Sequence, residues 1–330
     1  MEKQRLFREL TPILFVVFLL LATGYLYAGM LVYAEVARAN INCTPHKNNN
    51  SPEEFFKHQY DEVLDDNLSE WYFFEYENVT FPSLDEEITI AAWEVEQNST
   101  NPWIIIVHGV RSCKSNQEVL LPAGMLINAN YNVLMMDMRD HGDSTIEDEK
   151  VSGGHKEYRD VLGAWHYLVD EKAVPEEKIG IMGASMGAAT VAMAFVEEPR
   201  IDTVWLDSSY YDMEVIIRAE LSFNGFPEWL IYSAIWAGQV EAGIDLTDRP
   251  PSEAAAQLGN RNMFITHNIM DERIDIWHGE KMCDTAQSNV ESKGMIECWF
   301  IEESRKIQGA PGDGYAGHVV VVFANPYVYE

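Results

Sequence analysis

One short stretch, residues 178–192, constrains the fold of this chain more than any other part. It reads KIGIMGASMGAATVA, so an apolar run leads into a Gly-x-Ser-x-Gly pattern centred on Ser185, and small residues follow. A serine between a strand and a helix in this pattern is typical of a nucleophile elbow, a strained turn that exposes its hydroxyl. Gly183 and Gly187 meet the steric demand, because strand and helix backbones nearly touch there. A plain Gly/Ser turn is the alternative.

Apolar runs and helical segments alternate on both sides of this turn. The runs predict strands at residues 71–80, 88–95, 103–107, 131–136, 179–182, 203–206, 263–266 and 296–301, with helices at 117–129 and 157–169. The first two strands are expected to form an antiparallel pair. The rest predict parallel βαβ units in an α/β fold, a mostly parallel sheet with helices on both faces.

The N-terminal region contains a long uncharged segment. Residues 11–34 carry no charge, and as a helix they would extend about 36 Å, enough to cross a ~30 Å hydrocarbon core. A cleaved signal peptide is the alternative, but its apolar region is normally shorter. We interpret the segment as a single-pass transmembrane signal anchor. Lys3, Arg5 and Arg8 precede it, so residues 1–10 should be a cytoplasmic tail and the folded domain extracytoplasmic.

The remaining chain divides into a linker and one large domain. Residues 35–70 are polar and turn-rich and are expected to form a flexible juxtamembrane linker, and residues 71–330 the folded domain. Within that domain, residues 209–258 resemble an inserted lid. Its aromatic residues could line a substrate pocket or could simply pack the lid onto the domain. The substrate-binding candidates are Tyr210, Phe226 and Trp229.

Charge and cysteine content restrict the partners. The chain has 23 Lys and Arg against 53 Asp and Glu, a net charge of -30, which disfavours nucleic acid as a partner. Its four cysteines match no zinc-binding spacing, so we expect neither a metal site nor a cofactor. Cys283 and Cys298 could pair in an oxidising compartment, but buried free thiols are equally compatible with the sequence.

Two backbone N–H groups are candidates for an oxyanion hole. His108 and Gly109 follow the apolar strand 103–107, where a hydrolase with this elbow takes one donor from the loop. The donors would be the N–H groups of Val110 and of Met186, the residue after the nucleophile. We interpret the polar loop at 137–144 as a structural loop, because no second metal ligand is near it in sequence.

The two remaining catalytic groups should follow Ser185 in the order acid, then histidine. Asp271 lies just after the predicted strand 263–266, while Asp207 and Asp275 are the other candidates for the acid. His318 lies in a glycine-rich stretch near the end of the chain. Imidazole suits a general base because its pKa lies near neutrality.

Together these motifs resemble the α/β-hydrolase superfamily over residues 71–330, and in particular membrane-anchored serine hydrolases of its esterase/peptidase-like branch. The resemblance implies an α/β-hydrolase fold, a catalytic triad of Ser185, Asp271 and His318, and hydrolysis of a small-molecule carboxylic ester or thioester through an acyl-enzyme. A serine peptidase of the same fold is the alternative reaction, and a catalytically idle binding module is the alternative function. The chain departs from the family pattern at Asp140, where a glycine is usual.

Overall fold

The computed structural model describes residues 2–55, 68–85, 87–269, 271, 273–289 and 293–301, and its centre is one eight-stranded sheet. The strands are β1 (Glu77–Pro82), β2 (Thr89–Val95), β3 (Trp103–Val107), β4 (Asn132–Met136), β5 (Ile179–Ala184), β6 (Thr203–Asp207), β7 (Asn262–Asn268) and β8 (Ile296–Ile301). Their order is β1-β2-β4-β3-β5-β6-β7-β8. β2 pairs antiparallel with both β1 and β4, and all other pairs are parallel.

The central strands are buried on both faces, which explains their continuous apolar sequences. Ile105 of β3, Leu134 of β4 and Ile181 of β5 are almost completely inaccessible to solvent. A parallel strand covered by helices on both sides has no polar face, so it reads as an unbroken apolar run. The predicted mostly parallel α/β sheet is confirmed.

Helices cover both faces of the sheet. They are α1 (Glu2–Val36), the short α2 (His46–Asn49), α3 (Gln117–Asn128), α4 (Tyr158–His166), α5 (Met186–Glu197), α6 (Met213–Phe223), α7 (Ile231–Ala242), α8 (Ser252–Ala256) and α9 (Trp277–Ser288). Short 3-10 turns lie at Leu68–Trp71, Glu176–Lys178 and Glu228–Leu230, and α4 continues into a π turn at Tyr167–Glu171. One apolar core contains α4, α5, α8 and α9, and a second contains α3.

The chain that follows α1 lies on the domain. The Val151 N–H donates to the Ala37 carbonyl at 2.7 Å, and the Ala39 N–H donates to the Glu149 carbonyl at 2.9 Å. A disulfide bond joins Cys43 to Cys113 beside α3. Residues 37–55 therefore pack against the domain over part of the segment that we expected to be a flexible linker. Residues 56–67 of that segment lie outside the described residues.

The expected lid region, residues 209–258, lies between β6 and β7. It contains α6 and α7, which pack beside the C-terminal half of α1, and α8, which packs on α5. A cluster of Val32, Leu221, Leu230, Ile231 and Ala234 joins the three helices α1, α6 and α7. Further along the chain, a second disulfide bond links Cys283 of α9 to Cys298 of β8.

The loop at 137–144 is held by buried charges. Arg139 is buried and donates to both carboxylate oxygens of Asp160, at 2.7 to 3.1 Å. Asp140 adopts a left-handed backbone with φ of 61°, which explains why glycine is usual at this position. Its Oδ1 accepts hydrogen bonds from three consecutive backbone N–H groups at 147–149, so its carboxylate holds the next turn. These contacts stabilise the loop, which agrees with its interpretation as a structural loop.

Candidate active site

Ser185 occupies a strained turn between β5 and α5. Its backbone has φ of 56° and ψ of −122°, a conformation that costs free energy in a residue with a Cβ. The turn is fixed because the Ser185 N–H donates to the Asp207 carbonyl of β6 at 2.9 Å. The side chain makes no capping hydrogen bond to α5. This is the geometry that the sequence predicted for a nucleophile elbow.

The two glycines of the elbow have no room for a side chain. A Cβ on Gly183 would collide with the carbonyl oxygen of Gly187, where the strand and helix backbones cross. A Cβ on Gly187 would collide with the carbonyl oxygens of Val107 and His108 at the end of β3. The pattern Gly-x-Ser-x-Gly is therefore required by backbone contact, and the same contact holds the end of β3 next to Ser185.

The loop after β3 lies directly over the serine. A Cβ on Gly109 would be 3.3 Å from the Ser185 Cβ. The Gly109 N–H donates to Glu118 Oε1 at 2.9 Å, and Glu118 is buried at the start of α3. This bond fixes the peptide that precedes the predicted donor, Val110. Sequence reasoning did not identify Glu118, although Asn116, which caps α3, marked the helix start beside it.

Val110 and Met186, the predicted oxyanion donors, lie around the same cavity as Ser185. Met186 is the first residue of α5, so its N–H belongs to the positive end of that helix. The Val110 side chain is half-buried. Both residues therefore border the same space as the nucleophile, and their assignment as donors stays a prediction.

Asp271 is buried in the loop after β7. Its Oδ1 accepts hydrogen bonds from the backbone N–H groups of Arg273 and Ile274, at 2.8 and 2.9 Å, so the carboxylate has a fixed orientation. Its Oδ2 lies 3.6 Å from Nε2 of His267. Ile274 also lines the cavity that contains Ser185. The loop therefore brings the predicted acid close to the candidate site.

The two competing aspartates have other contacts. Asp207 Oδ1 accepts hydrogen bonds from the hydroxyl groups of Thr266 and Ser208, at 2.9 and 3.3 Å. Asp275 is exposed, and its carboxylate accepts from the backbone N–H of Trp277 at the start of α9. These contacts favour Asp271 over both alternatives, although none of them tests the triad itself.

The predicted base, His318, lies outside the described residues. Of the residues that the structure describes, no histidine lines the cavity with Ser185. His108 lies at the end of β3 beside the elbow, but its Nε2 accepts from the Met138 N–H at 3.0 Å and its Nδ1 contacts the Gly109 carbonyl at 2.8 Å. Burial lowers the pKa of His108 well below its ordinary value. His108 is therefore a neutral structural histidine, which leaves the base to be tested at His318.

A cavity of about 120 Å³ adjoins Ser185, and its walls are almost entirely apolar. Tyr210 lines the cavity, with its hydroxyl donating to the Gly153 carbonyl at 2.7 Å, and burial raises the pKa of this phenol; its role in substrate binding stays a prediction. Phe226 and Trp229 are not among the lining residues. Phe226 packs against the cluster shared by α1, α6 and α7, and Trp229 is exposed beside α1. The charged residues among the described lining are Glu220 and Arg273, which pair with each other at 2.8 Å.

One group of carboxylates has the spacing of a metal site but already has cationic partners. Oxygens of Asp140, Glu147 and Asp148 lie within 4.8 Å of one another. Lys156 pairs with Glu147 and Asp148, at 3.2 and 2.8 Å, and Arg139 pairs with Glu147. None of these three residues lines the Ser185 cavity.

Comparison with known sequences identifies the family of this chain. The sequence model of the prolyl oligopeptidase family matches residues 123–297, which is more than half of the chain and includes Ser185 and Asp271. The chain belongs to the prolyl oligopeptidase family. Its fold is the α/β-hydrolase fold that the sequence motifs predicted.

Two relatives match part of the sequence at low identity. Two Escherichia coli proteins of 31.7 kDa, encoded in the traX-finO intergenic region, are 23% identical over 146 residues, which is 44% of this chain. The match spans about half the length of these relatives, 50% of each.

Solved structures share the fold. An esterase of Pyrococcus furiosus matches with a TM-score of 0.55 at 21% identity, covering 76% of this chain and 88% of the esterase. The α/β hydrolase GrgF of a Penicillium species matches with a TM-score of 0.54 at 14% identity, covering 76% and 94%. An acylaminoacyl peptidase of Pyrococcus horikoshii matches with 0.51 at 15% identity, covering 76% of this chain but 41% of the peptidase. At these identities the likeness concerns the fold alone.

Proposed function

We propose that this chain is a membrane-anchored serine hydrolase that cleaves carboxylic esters or thioesters of small molecules. The observation that carries the proposal is the strained Ser185 elbow at the wall of an apolar cavity. Backbone strain at a residue with a side chain persists where surrounding contacts enforce it, and it concentrates at reactive groups. The apolar wall suits the acyl part of a substrate.

The mechanism assigns one role to each predicted group. Ser185 Oγ attacks the acyl carbonyl carbon while His318 accepts the hydroxyl proton, and Asp271 orients the imidazole. The N–H groups of Met186 and Val110 stabilise the oxyanion. The alcohol or thiol leaves with the proton from His318. A water molecule then gives its proton to the histidine, attacks the acyl carbon, and releases the carboxylic acid and Ser185.

Peptide hydrolysis is the second candidate reaction, and family membership favours it. A bound peptide needs donors and acceptors for its backbone groups, since burying them unpaired costs free energy. The described lining of the cavity offers few such groups, because Glu220 and Arg273 are engaged with each other. For this reason we favour an ester or thioester over a peptide.

The anchoring part of the proposal rests on α1. Residues Leu10–Val36 form one apolar helix long enough to cross a membrane, and only 6% of its most apolar window is buried. A helix of the soluble core would be mostly buried, so this segment suits a lipid environment better. Cleavage as a signal peptide after residue 39 would remove Val32, Tyr33 and Ala37, which are buried in the domain. An uncleaved anchor, with the N-terminus in the cytoplasm, accords with both observations.

Two disulfide bonds support an extracytoplasmic domain. They join Cys43 to Cys113 and Cys283 to Cys298. Disulfide bonds persist mainly in oxidising compartments, which is where the proposed orientation of α1 places the catalytic domain. The net charge of -30 disfavours nucleic acid as a partner on either side of the membrane.

Labelling with a fluorophosphonate tests the proposed nucleophile, because only an activated serine reacts. The wild-type protein should be labelled and should hydrolyse a short-chain aryl ester faster than an aminoacyl anilide. Ser185→Ala should abolish labelling and lower kcat by roughly 10⁴–10⁶. Ser209→Ala, a change at a nearby buried serine, is the matched control and should be labelled normally. Undiminished labelling of Ser185→Ala would refute the assignment.

A pair of aspartate variants tests the acid. Asp271→Asn should lower kcat by about 10⁴, because an amide favours the wrong tautomer of the histidine. Asp207→Asn should have a much smaller effect, since its carboxylate bonds to hydroxyl groups. His318→Gln should be as inactive as Asp271→Asn. The opposite ranking of the two aspartates would move the acid to the end of β6.

A further inference from the structure

The last turns of α1 form part of the wall of the Ser185 cavity. Val32, Tyr33 and Val36 of this helix, and Ala37 directly after it, line the same space as Ser185. A helix that served only as a tether would make no contribution to the substrate cavity. The helix that we propose to cross the membrane instead forms part of the cavity wall.

The α7 helix lies alongside these last turns of α1 and runs in the same direction. Tyr25 stacks on Trp229 with ring centroids 5.8 Å apart, and its hydroxyl donates to the Trp229 carbonyl at 3.1 Å. About one turn further along, a Cβ on Gly29 would collide with Ser233 of α7. At the far end, a Cβ on Gly238 would lie 3.0 Å from the Tyr33 ring. The glycines let the two helices approach closely, so the depth of α1 also sets the depth of α7.

Helix geometry gives that depth. A hydrocarbon core of ~30 Å is crossed by about 20 helical residues at 1.5 Å each. Counted from Leu10, where the apolar segment begins, the core ends near Met30. Tyr25 then lies roughly 7 Å inside the outer boundary of the core. Trp229, which stacks on it, lies at the same level.

The outward face of α7 and of the turn before it is largely apolar and exposed, and the Arg218–Glu214 pair of α6 borders it at the Tyr232 hydroxyl. Trp229, Tyr232, Trp236 and Val240 are 64%, 62%, 37% and 55% exposed, and we call them the α7 stripe. Their spacing of three to four residues puts them on one side of the helix. Residues 229–240 contain no charged residue in a chain with a net charge of -30. An exposed apolar patch of this kind marks an interaction surface, and Trp and Tyr are enriched where proteins meet the membrane interface.

We propose that the α7 stripe is embedded in the outer leaflet beside α1, and that the Ser185 cavity takes the acyl chain of an uncharged or zwitterionic lipid ester from that leaflet. The inference rests on the proposed function, since it names the substrate class of the same site. Val32 and Val36 belong to α1 and line the cavity, so an acyl chain that enters from the bilayer beside α1 meets apolar side chains at the cavity wall.

The reaction needs no further reactant beyond water. The bond between the lipid acyl carbon and its alkoxy oxygen breaks as the bond to Ser185 Oγ forms, and the alcohol leaves with the serine proton. Hydrolysis of the acyl-enzyme then releases a fatty acid. The acidic surface disfavours anionic headgroups, so the alcohol part of the substrate is neutral or zwitterionic.

Quenching by brominated lipid tests whether the α7 stripe meets the bilayer. The full-length protein is placed in phosphatidylcholine vesicles whose acyl chains carry bromine near the headgroup, and the quenched fraction of tryptophan emission is measured. Trp229→Phe/Trp236→Phe should lose at least half of the quenched fraction. Trp277→Phe, a matched change on α9 with 37% exposure, should keep it. Equal quenching of the double variant and the wild type would overturn the proposal, as would cross-linking that places the stripe between two copies of the chain.

Turnover of two substrates tests the route to the cavity. A long-chain monoacylglycerol in the same vesicles is compared with a short-chain aryl ester in solution. Trp229→Gln/Trp236→Gln should lower hydrolysis of the vesicle substrate at least tenfold and that of the soluble ester less than twofold. Phe74→Gln, which removes an exposed aromatic ring elsewhere, should change neither.

The two assays separate the failure of this inference from the failure of the proposed function. A wild-type protein that cleaves the soluble ester but not the vesicle ester would refute the lipid substrate and leave the serine hydrolase intact. A protein that takes no fluorophosphonate label and cleaves neither ester would refute the proposed function. In that case the quenching measurement still decides whether the stripe is embedded.

Discussion

Replacing Glu118 should weaken catalysis without touching the nucleophile. Its Oε1 accepts the Gly109 N–H at 2.9 Å, and both groups are buried. Glu118→Met keeps the side-chain length but leaves that N–H without an acceptor, which costs about 1–3 kcal/mol. The loop can recover this free energy only by moving, and Gly109 is in contact with Ser185, so movement displaces the N–H of Val110.

The expected size of the effect follows from the oxyanion hole. Loss of one complete donor costs about 10²–10³ in kcat, and a displaced donor should cost a part of that. We therefore expect Glu118→Met to lower kcat by about 10- to 100-fold with little change in KM. Glu118→Gln retains a carbonyl oxygen at the same place and should stay within about threefold of the wild type.

Steady-state kinetics on a soluble aryl ester, with urea unfolding of each variant, measure both quantities. A folded Glu118→Met protein with wild-type kcat would show that the loop keeps its position without this bond, which refutes the reasoning. Equal losses in Glu118→Gln and Glu118→Met would mean that the negative charge matters rather than the hydrogen bond.

Three further predictions concern stability. Gly183→Ala places a methyl group against a carbonyl oxygen of α5 and should lower the free energy of unfolding in urea by about 3 kcal/mol or more. Gly180→Ala on the same strand is the control: its methyl group would lie 2.9 Å from the end of a side chain, and the loss should be less than about 1.5 kcal/mol. Arg139→Met leaves the buried Asp160 without its cationic partner and should lower the free energy of unfolding by about 3–5 kcal/mol. Arg200→Met, which breaks a surface pair with Glu198, is the control and should lower it by less than about 1 kcal/mol. Burial lowers the pKa of His278 to about 4, so its stabilising contribution is complete above pH 6.5 and is lost as the pH falls towards 4. His278→Asn should remove up to about 3 kcal/mol of the pH dependence of unfolding between pH 7 and pH 4, and an unchanged dependence would contradict the assignment.

The strands of the sheet were largely predictable from sequence because burial on both faces leaves a continuous apolar run. The predicted bounds of β3 and β8 agree with the structure. The first strand was predicted to start at Trp71, but β1 begins at Glu77. Trp71, Tyr72, Phe73 and Tyr76 pack in the apolar cluster of α3 instead of joining the sheet, with the Trp71 carbonyl against Gly124, whereas Phe74 is exposed. Apolar content alone does not distinguish such a segment from a strand.

The elbow was predictable because its chemistry and its steric demand lie in five consecutive residues. The cavity wall was not, because Val32 and Ser185 meet only through the packing of α1 against the lid. Phe226 and Trp229 were plausible pocket residues because they are aromatic, yet other residues of the lid region, such as Met213 and Ile216 of α6, line the pocket. The signals in the sequence were Gly29, which permits close helix packing, and the uncharged residues 229–240.

The acidic charge of the domain is compatible with the proposed attachment to the membrane, because the charge and the lipid-embedded helices belong to different parts of the molecule. Repulsion between surface carboxylates and anionic headgroups is screened beyond about 8 Å at physiological salt. Burial of the apolar α1 in lipid is unaffected by that repulsion, and the α7 stripe adds apolar area without adding charge. In the proposed arrangement, the pair of helices α1 and α7 therefore determines whether the domain meets the bilayer. In the same arrangement, the acidic surface would determine which headgroups can approach Ser185, and it would act on the selection of substrate rather than on attachment.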